Sequence, residues 1–197
     1  MPGELILIRH GETAWSLSGQ HTSRTDLPLT DEGRIRARAL GQILKGMFPR
    51  GFALVLASPM RRAIETCHLA GYQPEIEDNL HEWDYGSYEG LTSDDIQKSA
   101  PGWTIWTGAV PGGETAEQVG ARADRVIQRC LPVLHSAGPG EGNAALFSHG
   151  HMLRVLAARW LELAPDDGRL LGLDTASVSA LGWEHTTRVI RFWNRTA

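Results

Sequence analysis

The chain has 197 residues and a formal net charge of −4, from 19 Lys and Arg against 23 Asp and Glu. Apolar residues make up 42% of the sequence and charged residues 21%, proportions that are typical of globular proteins and exclude an intrinsically disordered chain. The acidic balance argues against a nucleic-acid partner, because binding to phosphate backbones draws on an excess of basic residues.

The first half of the chain alternates predicted strands with predicted helices. An apolar run over residues 4–8 indicates a strand buried on both faces, and a loop over residues 14–30 follows it. Thr30 has the side chain of a helix N-cap and precedes a predicted helix. A second apolar run, residues 53–57, predicts another buried strand, which leads into a helix over residues 60–70.

The second half opens on a short strand over residues 75–77 and an irregular, aromatic segment over residues 80–113, with a brief helix near 92–98. Periodic apolar residues predict a long helix over 115–136, and the Gly/Pro-rich residues 138–142 predict a turn. The remaining predicted elements are a strand, a helix and a pair of strands: 144–147, 151–162, 177–183 and 188–193.

This alternation predicts a three-layer α/β/α fold, with a mostly parallel central sheet and helices on both faces. We expect one domain over residues 1–197, because no linker, repeat or low-complexity tract divides the chain. Ligands of such sheets bind beyond the carboxyl ends of the strands. Two buried strands end in Arg9-His10-Gly11 and Ser148-His149-Gly150, so both histidines are expected at one edge.

The residue types at that edge indicate a chemistry. Arg9 accompanies His10, and Arg62 lies in the first turns of the helix after the second buried strand. Guanidinium groups match the oxygens of a phosphate, and a neutral imidazole can act as a nucleophile. The convergence of these groups with His149 suggests phosphoryl transfer through a phosphohistidine.

Five ordered stretches of the sequence resemble the histidine phosphatase superfamily, which includes the cofactor-dependent phosphoglycerate mutases. The first stretch, Leu7-Ile8-Arg9-His10-Gly11-Glu12-Thr13, resembles the motif around the family's nucleophile. The others lie at residues 25–33, 58–66, 82–90 and 147–151. Together they cover nearly the whole chain.

The resemblance implies a role for each matched residue. His10 would take the phosphoryl group, and Arg9, Arg62 and His149 would bind its oxygens and stabilise the transition state. Glu82 would protonate the leaving oxygen and then activate water. Arg62 is preferred to its neighbour because it directly precedes the Ala-x-x-Thr pattern of the family. The resemblance implies that no metal is needed, and no cofactor is expected for this chain.

The loop after the nucleophile is predicted to contact the substrate through Ser16, Thr22, Ser23 and Arg24, with Arg24 meeting a second phosphate at the far end. The irregular segment over residues 80–113 is expected to face the substrate as well. The tryptophans predicted to wall the pocket are Trp15, Trp83, Trp103 and Trp106.

Three activities fit this resemblance: a phosphatase for small metabolites, a phosphoglycerate mutase, or a phosphoprotein phosphatase. Between Gly90 and Gly113 the sequence has one basic residue, Lys98, where mutases carry an Arg-rich insertion, and this favours a phosphatase. The run over residues 15–22 looks most like the branch that contains sedoheptulose-1,7-bisphosphatase, which implies a sugar phosphate as substrate. A catalytically silent phosphate-binding protein is the remaining alternative.

The two cysteines, Cys67 and Cys130, match neither a disulfide framework nor a zinc-binding spacing. The N-terminus has no basic region of the kind that begins a signal peptide, and no apolar run is long enough to span a bilayer. We therefore expect a reduced, cytoplasmic protein without a membrane partner, and the sequence leaves a homo-oligomer open.

Overall fold

A computed structural model describes residues 2–136 and 142–196 of the chain. Its strands are β1 (Leu5–Arg9), β2 (Leu54–Ala57), β3 (Glu75–Ile76), β4 (Ala144–Ser148), β5 (Ser177–Glu184) and β6 (Thr187–Thr196). They form one six-stranded sheet in the order β3-β2-β4-β1-β5-β6. Strands β1 to β4 are parallel, and β5 and β6 are antiparallel at one side. The prediction of a mostly parallel sheet is confirmed.

The helices are α1 (Ala14–Ser18), α2 (Asp31–Met47), α3 (Arg61–Leu69), α4 (Ser93–Ser99), α5 (Ala116–Ser136) and α6 (Gly150–Trp160). Three 3₁₀ turns lie at Asp78–Leu80, Gly86–Tyr88 and Pro165–Leu170. Nearly all of these helices were predicted, and Thr30 caps α2 as expected by accepting from the Gly33 amide across 3.0 Å. Across the described ranges, no helix is both long and apolar enough to cross a membrane.

Two local features of the structure were not predicted from the sequence. Helix α1 occupies residues that were predicted as loop. A capping box formed by Thr13 and Ser16 stabilises the N-terminus of this five-residue helix. So short a helix has no apolar period to reveal it. The 3₁₀ turn at Pro165–Leu170 was also not predicted. The turn predicted over residues 138–142 falls mainly outside the described residues.

The two faces of β1 explain the three layers. Leu5 and Leu7 pack in one buried cluster with apolar residues of α5 and α6. Ile6 and Ile8 point to the other face and pack in a second cluster with residues of α2 and α3. Because successive side chains of a strand alternate between faces, one continuous apolar run supplies both clusters.

The register of β1 against β4 brings the two histidine motifs to one edge of the sheet. Arg9 is the partner of Ser148 in the parallel pair, and the His10 amide continues the ladder to the Ser148 carbonyl oxygen across 3.0 Å. His10 and His149 follow at the same level, with ring centroids 5.2 Å apart. The next residue, Gly11, must be a glycine, because a Cβ there would lie 2.6 Å from the Gly33 carbonyl oxygen.

Candidate active site

His10 lines a cleft of about 170 Å³ at the carboxyl edge of the sheet. Its Nδ1 lies 2.7 Å from the Gly11 carbonyl oxygen, and since a carbonyl only accepts, Nδ1 carries the proton. Nε2 is therefore the nitrogen with the free lone pair. Burial lowers the pKa of His10 well below its ordinary value, and the charges of Arg62 and Arg9 lower it further. The ring is neutral at neutral pH.

Arg9 lines the same cleft and keeps one donor unused. Its Nη1 donates to the Leu173 carbonyl oxygen across 2.5 Å. Its Nε is buried and has no hydrogen-bond partner within the described part of the chain. Burial lowers the pKa of Arg9, although the group stays cationic at neutral pH. A buried cationic donor without a partner is costly, and an anion in the cleft would relieve that cost.

Arg62 and His149 form a buried pair beside His10. Arg62 Nε donates to His149 Nδ1 across 3.2 Å, so the other nitrogen, Nε2, carries the proton and faces Ser58 Oγ at 2.7 Å. Burial lowers the pKa of His149 well below its ordinary value, followed by the charge of Arg62. The remaining Arg62 donors bind carbonyl oxygens of the loop after α1: Thr22, Ser23 and Thr25.

The pair therefore lies in the same cluster as His10 without lining the cleft in this arrangement. Its nearness agrees with the expected convergence of the two motifs. Direct contact of Arg62 and His149 with a phosphoryl group stays a prediction.

Glu82 lines the cleft with its carboxylate held at the first turn of α6. Oε1 accepts from the amides of Trp83 at 2.9 Å and Met152 at 2.8 Å, and Oε2 accepts from His151 at 3.0 Å. The N-terminus of a helix favours an anion, because its first amides lack partners within the helix. The side chain that the resemblance assigns as acid and base is thus fixed at the cleft.

Arg154 is a cleft residue that was not predicted from the sequence. It projects from α6 one turn after Gly150 and His151, which line the cleft with it. Its Nε and Nη2 donate to the carbonyl oxygens of Gly168 and Arg169, both at 3.1 Å. Its guanidinium carbon lies 4.6 Å from the centre of the Trp106 ring. The helical spacing from His149 was a signal that could have identified it.

The substrate-loop predictions divide into two groups. Ser16 and Thr22 line the cleft, and each hydroxyl proton is directed to a backbone carbonyl of its own loop. Ser23 and Arg24 line a separate cavity of about 110 Å³ instead. Arg24 is 78% exposed and pairs with Asp84 at 2.6 Å, which holds it away from the cleft. The expected position of Arg24 at the far end of the pocket therefore differs from the structure.

The predicted tryptophan walls are also corrected. Trp15 lines the cleft, but Trp83 and Trp103 are buried in the core, where their indole N–H groups donate to backbone oxygens. The aromatic side of the cleft consists of Tyr85, His21 and His151. Tyr85 and His151 are joined by a contact of 2.6 Å between the hydroxyl and Nδ1.

A metal site is not apparent in the structure's described ranges: they contain no group of three or more His, Cys, Asp or Glu placed to hold an ion. The cationic side chains that line the cleft are Arg9 and Arg154. The arrangement can bind an anion at Arg9, beside a neutral imidazole and a carboxyl group, and it offers Arg154 as a second cation in the same cleft.

The chain is similar to one protein family and to several known proteins over most of its length. The profile described as histidine phosphatase superfamily (branch 1) matches residues 5–196. An acid phosphatase of Mycobacterium tuberculosis is 42% identical over 185 residues, covering 93% of this chain and 88% of that protein. Sedoheptulose 1,7-bisphosphatase of Saccharomyces cerevisiae is 36% identical, covering 80% of this chain and 67% of the relative. A 2,3-bisphosphoglycerate-dependent phosphoglycerate mutase of Gloeobacter violaceus is 31% identical, covering 82% and 77%.

Solved structures show the same likeness. A functionally characterised open reading frame of Mycobacterium tuberculosis superposes with a TM-score of 0.91 at 39% identity, covering 98% of both chains. The fold is thus shared over nearly the whole length of both chains.

Proposed function

The chain belongs to the histidine phosphatase superfamily, and on that basis we propose that it hydrolyses phosphomonoesters through a phosphohistidine at His10. The observation that carries the proposal is the state of His10: neutral, with its Nδ1 proton donated to Gly11 and its Nε2 lone pair free in the cleft. A nucleophile in that state needs no separate base to activate it.

The reaction has two steps. Nε2 of His10 attacks phosphorus, the bond from phosphorus to the ester oxygen breaks, and Glu82 gives its proton to the leaving oxygen. Glu82 then takes a proton from water, the water oxygen attacks phosphorus, and the bond from phosphorus to Nε2 breaks. Each step inverts the protonation of Glu82, so one carboxyl group serves as acid and then as base.

The charges around His10 support this chemistry. The unpaired Nε of Arg9 is a donor for an equatorial phosphoryl oxygen. Arg62 and His149 lie beside the nucleophile. In the proposed reaction they turn towards the phosphoryl group while it is transferred to His10. Cations close to the phosphoryl oxygens stabilise the charge of the transition state in a site that excludes most water.

We infer that the substrate is a small sugar phosphate. Beyond His10 the cleft offers hydroxyl oxygens on Ser16 and Thr22, which can accept from the hydroxyl groups of a sugar. Rings of Trp15 and Tyr85 offer apolar faces. The cationic Arg154 favours a substrate with a second anionic group, as in a sugar bisphosphate. This role replaces the one expected for Arg24.

A phosphoglycerate mutase is the second candidate, and several relatives carry that name, at 31% and 25% identity. The segment between Gly90 and Gly113 contributes one basic side chain, Lys98, which pairs with Asp95 at 2.7 Å and is 75% exposed. It is therefore engaged elsewhere than in the cleft. A mutase requires basic side chains that bind the substrate carboxylate, and this segment places none in the cleft. The arrangement therefore supports hydrolysis.

The test compares kcat/KM for sedoheptulose 1,7-bisphosphate, fructose 1,6-bisphosphate, 3-phosphoglycerate and phosphoserine. We expect both sugar bisphosphates to be hydrolysed faster than either acid. Preference for 3-phosphoglycerate or phosphoserine would overturn the sugar assignment. Conversion of 3-phosphoglycerate to its isomer faster than its hydrolysis would overturn the phosphatase assignment.

A further inference from the structure

A mostly buried ion pair lies next to Glu82 without lining the cleft; with Glu82 it lines the smaller cavity of about 110 Å³. Arg122 on α5 is 9% exposed, and its Nε and Nη2 donate to the two carboxylate oxygens of Glu114 across 2.8 and 2.7 Å. Glu114 precedes the first turn of α5. Both residues lie outside the five motifs on which the family resemblance was based.

The remaining donors of Arg122 reach the segment that carries Glu82, and Nη1 also lies 3.5 Å from the Met152 sulfur. Nη1 donates to the carbonyl oxygens of Asn79 and His81 across 2.7 and 2.9 Å, and Nη2 reaches that of Glu82 itself at 3.3 Å. The five N–H groups of the planar guanidinium are thus directed to five oxygen atoms on four residues. The planar guanidinium fixes the direction of each hydrogen bond. The ammonium group of a lysine, on its flexible side chain, would not.

Glu114 holds the same segment from its other end. Its Oε2 accepts from the Asp84 amide across 3.0 Å, and its own amide donates to the Asp84 carbonyl oxygen at 3.0 Å. Its carbonyl oxygen accepts from the Trp83 indole at 2.9 Å. The ion pair therefore brackets Glu82 on both sides along the chain.

Glu82 needs such support because its segment lacks the regular backbone hydrogen bonds of a strand or helix. Between the 3₁₀ turns at Asp78–Leu80 and Gly86–Tyr88 the backbone belongs to no strand or helix. A catalytic acid has to be held to a fraction of an ångström, and a displacement of about 1 Å can cost roughly 10²-fold in rate. A buried ion pair is weak evidence for stability, since apolar residues can often replace it without loss.

We propose that Arg122 and Glu114 are positioning residues for Glu82, which fix its backbone so that its carboxyl group reaches the leaving oxygen of the substrate. The proposal rests on the acid role of Glu82 in the proposed function. Neither residue lines the cleft, so the ion pair would act through the geometry of residues 79–84.

The first test is Arg122→Gln assayed on aryl phosphates with graded leaving groups. The parameter is kcat/KM, which reports the steps up to transfer of the phosphoryl group to His10. A displaced acid matters most when the leaving group is poor. We expect kcat/KM to fall roughly 10- to 100-fold for phenyl phosphate and less than about threefold for p-nitrophenyl phosphate. Equal losses on both substrates would mean a structural role only and would overturn the proposal.

Arg159→Gln is the matched control. Arg159 on α6 also forms a two-bond ion pair, with Asp124 on α5 at 3.0 and 3.1 Å. It has no contact with residues 79–84 within the described chain. We expect any loss in this variant to be the same for phenyl and p-nitrophenyl phosphate. Dependence on the leaving group here as large as in Arg122→Gln would count against the proposal.

A double variant separates this proposal from the acid role itself. If the ion pair acts through Glu82, adding Arg122→Gln to Glu82→Gln should lower kcat/KM for phenyl phosphate by less than about twofold further. Full additivity would overturn the positioning role. If Glu82→Gln alone shows no dependence on the leaving group, the acid assignment fails and the positioning role fails with it.

If Arg122→Gln does not fold, two more conservative variants allow the same measurement. Arg122→Lys retains the charge and loses the fork, and Glu114→Gln retains the shape and loses the charge. Each should show the same dependence on the leaving group, with a smaller amplitude. Wild-type behaviour in both folded variants would overturn the proposal.

Discussion

His10 donates its Nδ1 proton to the carbonyl oxygen of Gly11 across 2.7 Å, and this single contact fixes the tautomer of the ring. With the proton on Nδ1, the lone pair lies on Nε2, which has no protein partner among the described residues. The burial that lowers the pKa of His10 keeps that lone pair free at neutral pH. The tautomer and the neutral state of the His10 ring thus both leave Nε2 able to act as a nucleophile.

His10→Ala is expected to lower turnover at least about 10³-fold, because the other groups position and stabilise but cannot form the covalent bond. Brief incubation of the wild-type enzyme with ³²P-labelled substrate should mark it with a phosphoryl group that is labile in acid and stable in base. The variant should remain unlabelled. His68→Ala, an exposed residue of α3, is the control and should keep full activity. Retention of a tenth of the activity by His10→Ala would contradict the assignment.

Arg62→Ala is expected to lower kcat roughly 10²- to 10³-fold, the scale seen when one donor to a transition state is lost. Its neighbour is the control. Arg61 is 60% exposed, and its contact with Glu65 is 3.8 Å long, so Arg61→Ala should change kcat less than about twofold. Because Arg62 also binds the loop after α1, thermal unfolding must be measured alongside. The reverse order of effects would show that the two arginines had been assigned the wrong way round.

The sequence predicted the elements that have a clear local pattern of apolar and capping residues. The apolar runs that form β1 and β4 each end in a histidine motif, and parallel pairing then requires both motifs to share an edge. Helix α2 follows from its capping residue and apolar period in the same way. These are local patterns that long-range packing did not override.

What the sequence did not predict depends on long-range geometry. Arg122 and Glu82 are 40 residues apart, and no local pattern links them. The aromatic segment over residues 80–113 has no regular period, so nothing in it tells a buried Trp83 from a cleft residue such as Tyr85. Arg24 is exposed because Asp84, 60 residues away, attracts it.

Three buried neutral histidines predict that the protein loses stability in mild acid. Burial lowers the pKa of His10, His149 and His151 well below 6.5 in the folded state. Below pH 6.5 the unfolded chain therefore binds more protons than the folded one, and the free energy of unfolding falls as the pH falls. Each such histidine contributes a slope of up to about 1.4 kcal/mol per pH unit, or roughly 4 kcal/mol for the three.

Urea unfolding between pH 7 and pH 5.5 measures this slope directly. His10→Gln removes one of the three groups, so its slope should be smaller by the equivalent of about one proton. An unfolding free energy that stays constant over this range would show that the folded and unfolded chains bind equal numbers of protons, and would contradict the lowered pKa values of the three histidines.

Arg154 is predicted to select substrates with a second anionic group. It lines the cleft, and backbone carbonyls and the Trp106 ring hold its guanidinium in place. Arg154→Met keeps much of the apolar stem and removes the charge. We expect kcat/KM for fructose 1,6-bisphosphate to fall roughly 10- to 100-fold, the scale of one charge-assisted contact. For p-nitrophenyl phosphate, which has no second anion, the fall should be less than about threefold.

Arg24→Met is the matched comparison, because Arg24 was the residue expected from the sequence to meet a second phosphate. Its pairing with Asp84 outside the cleft predicts that the variant keeps the wild-type preference for the bisphosphate. Inorganic phosphate, as a competitive inhibitor, should bind both variants with similar strength, since it occupies the site beside His10 alone. If Arg24→Met lost selectivity for the bisphosphate and Arg154→Met did not, the loop after α1 would have to close over the substrate, and the second anion would be bound from the opposite side of the cleft.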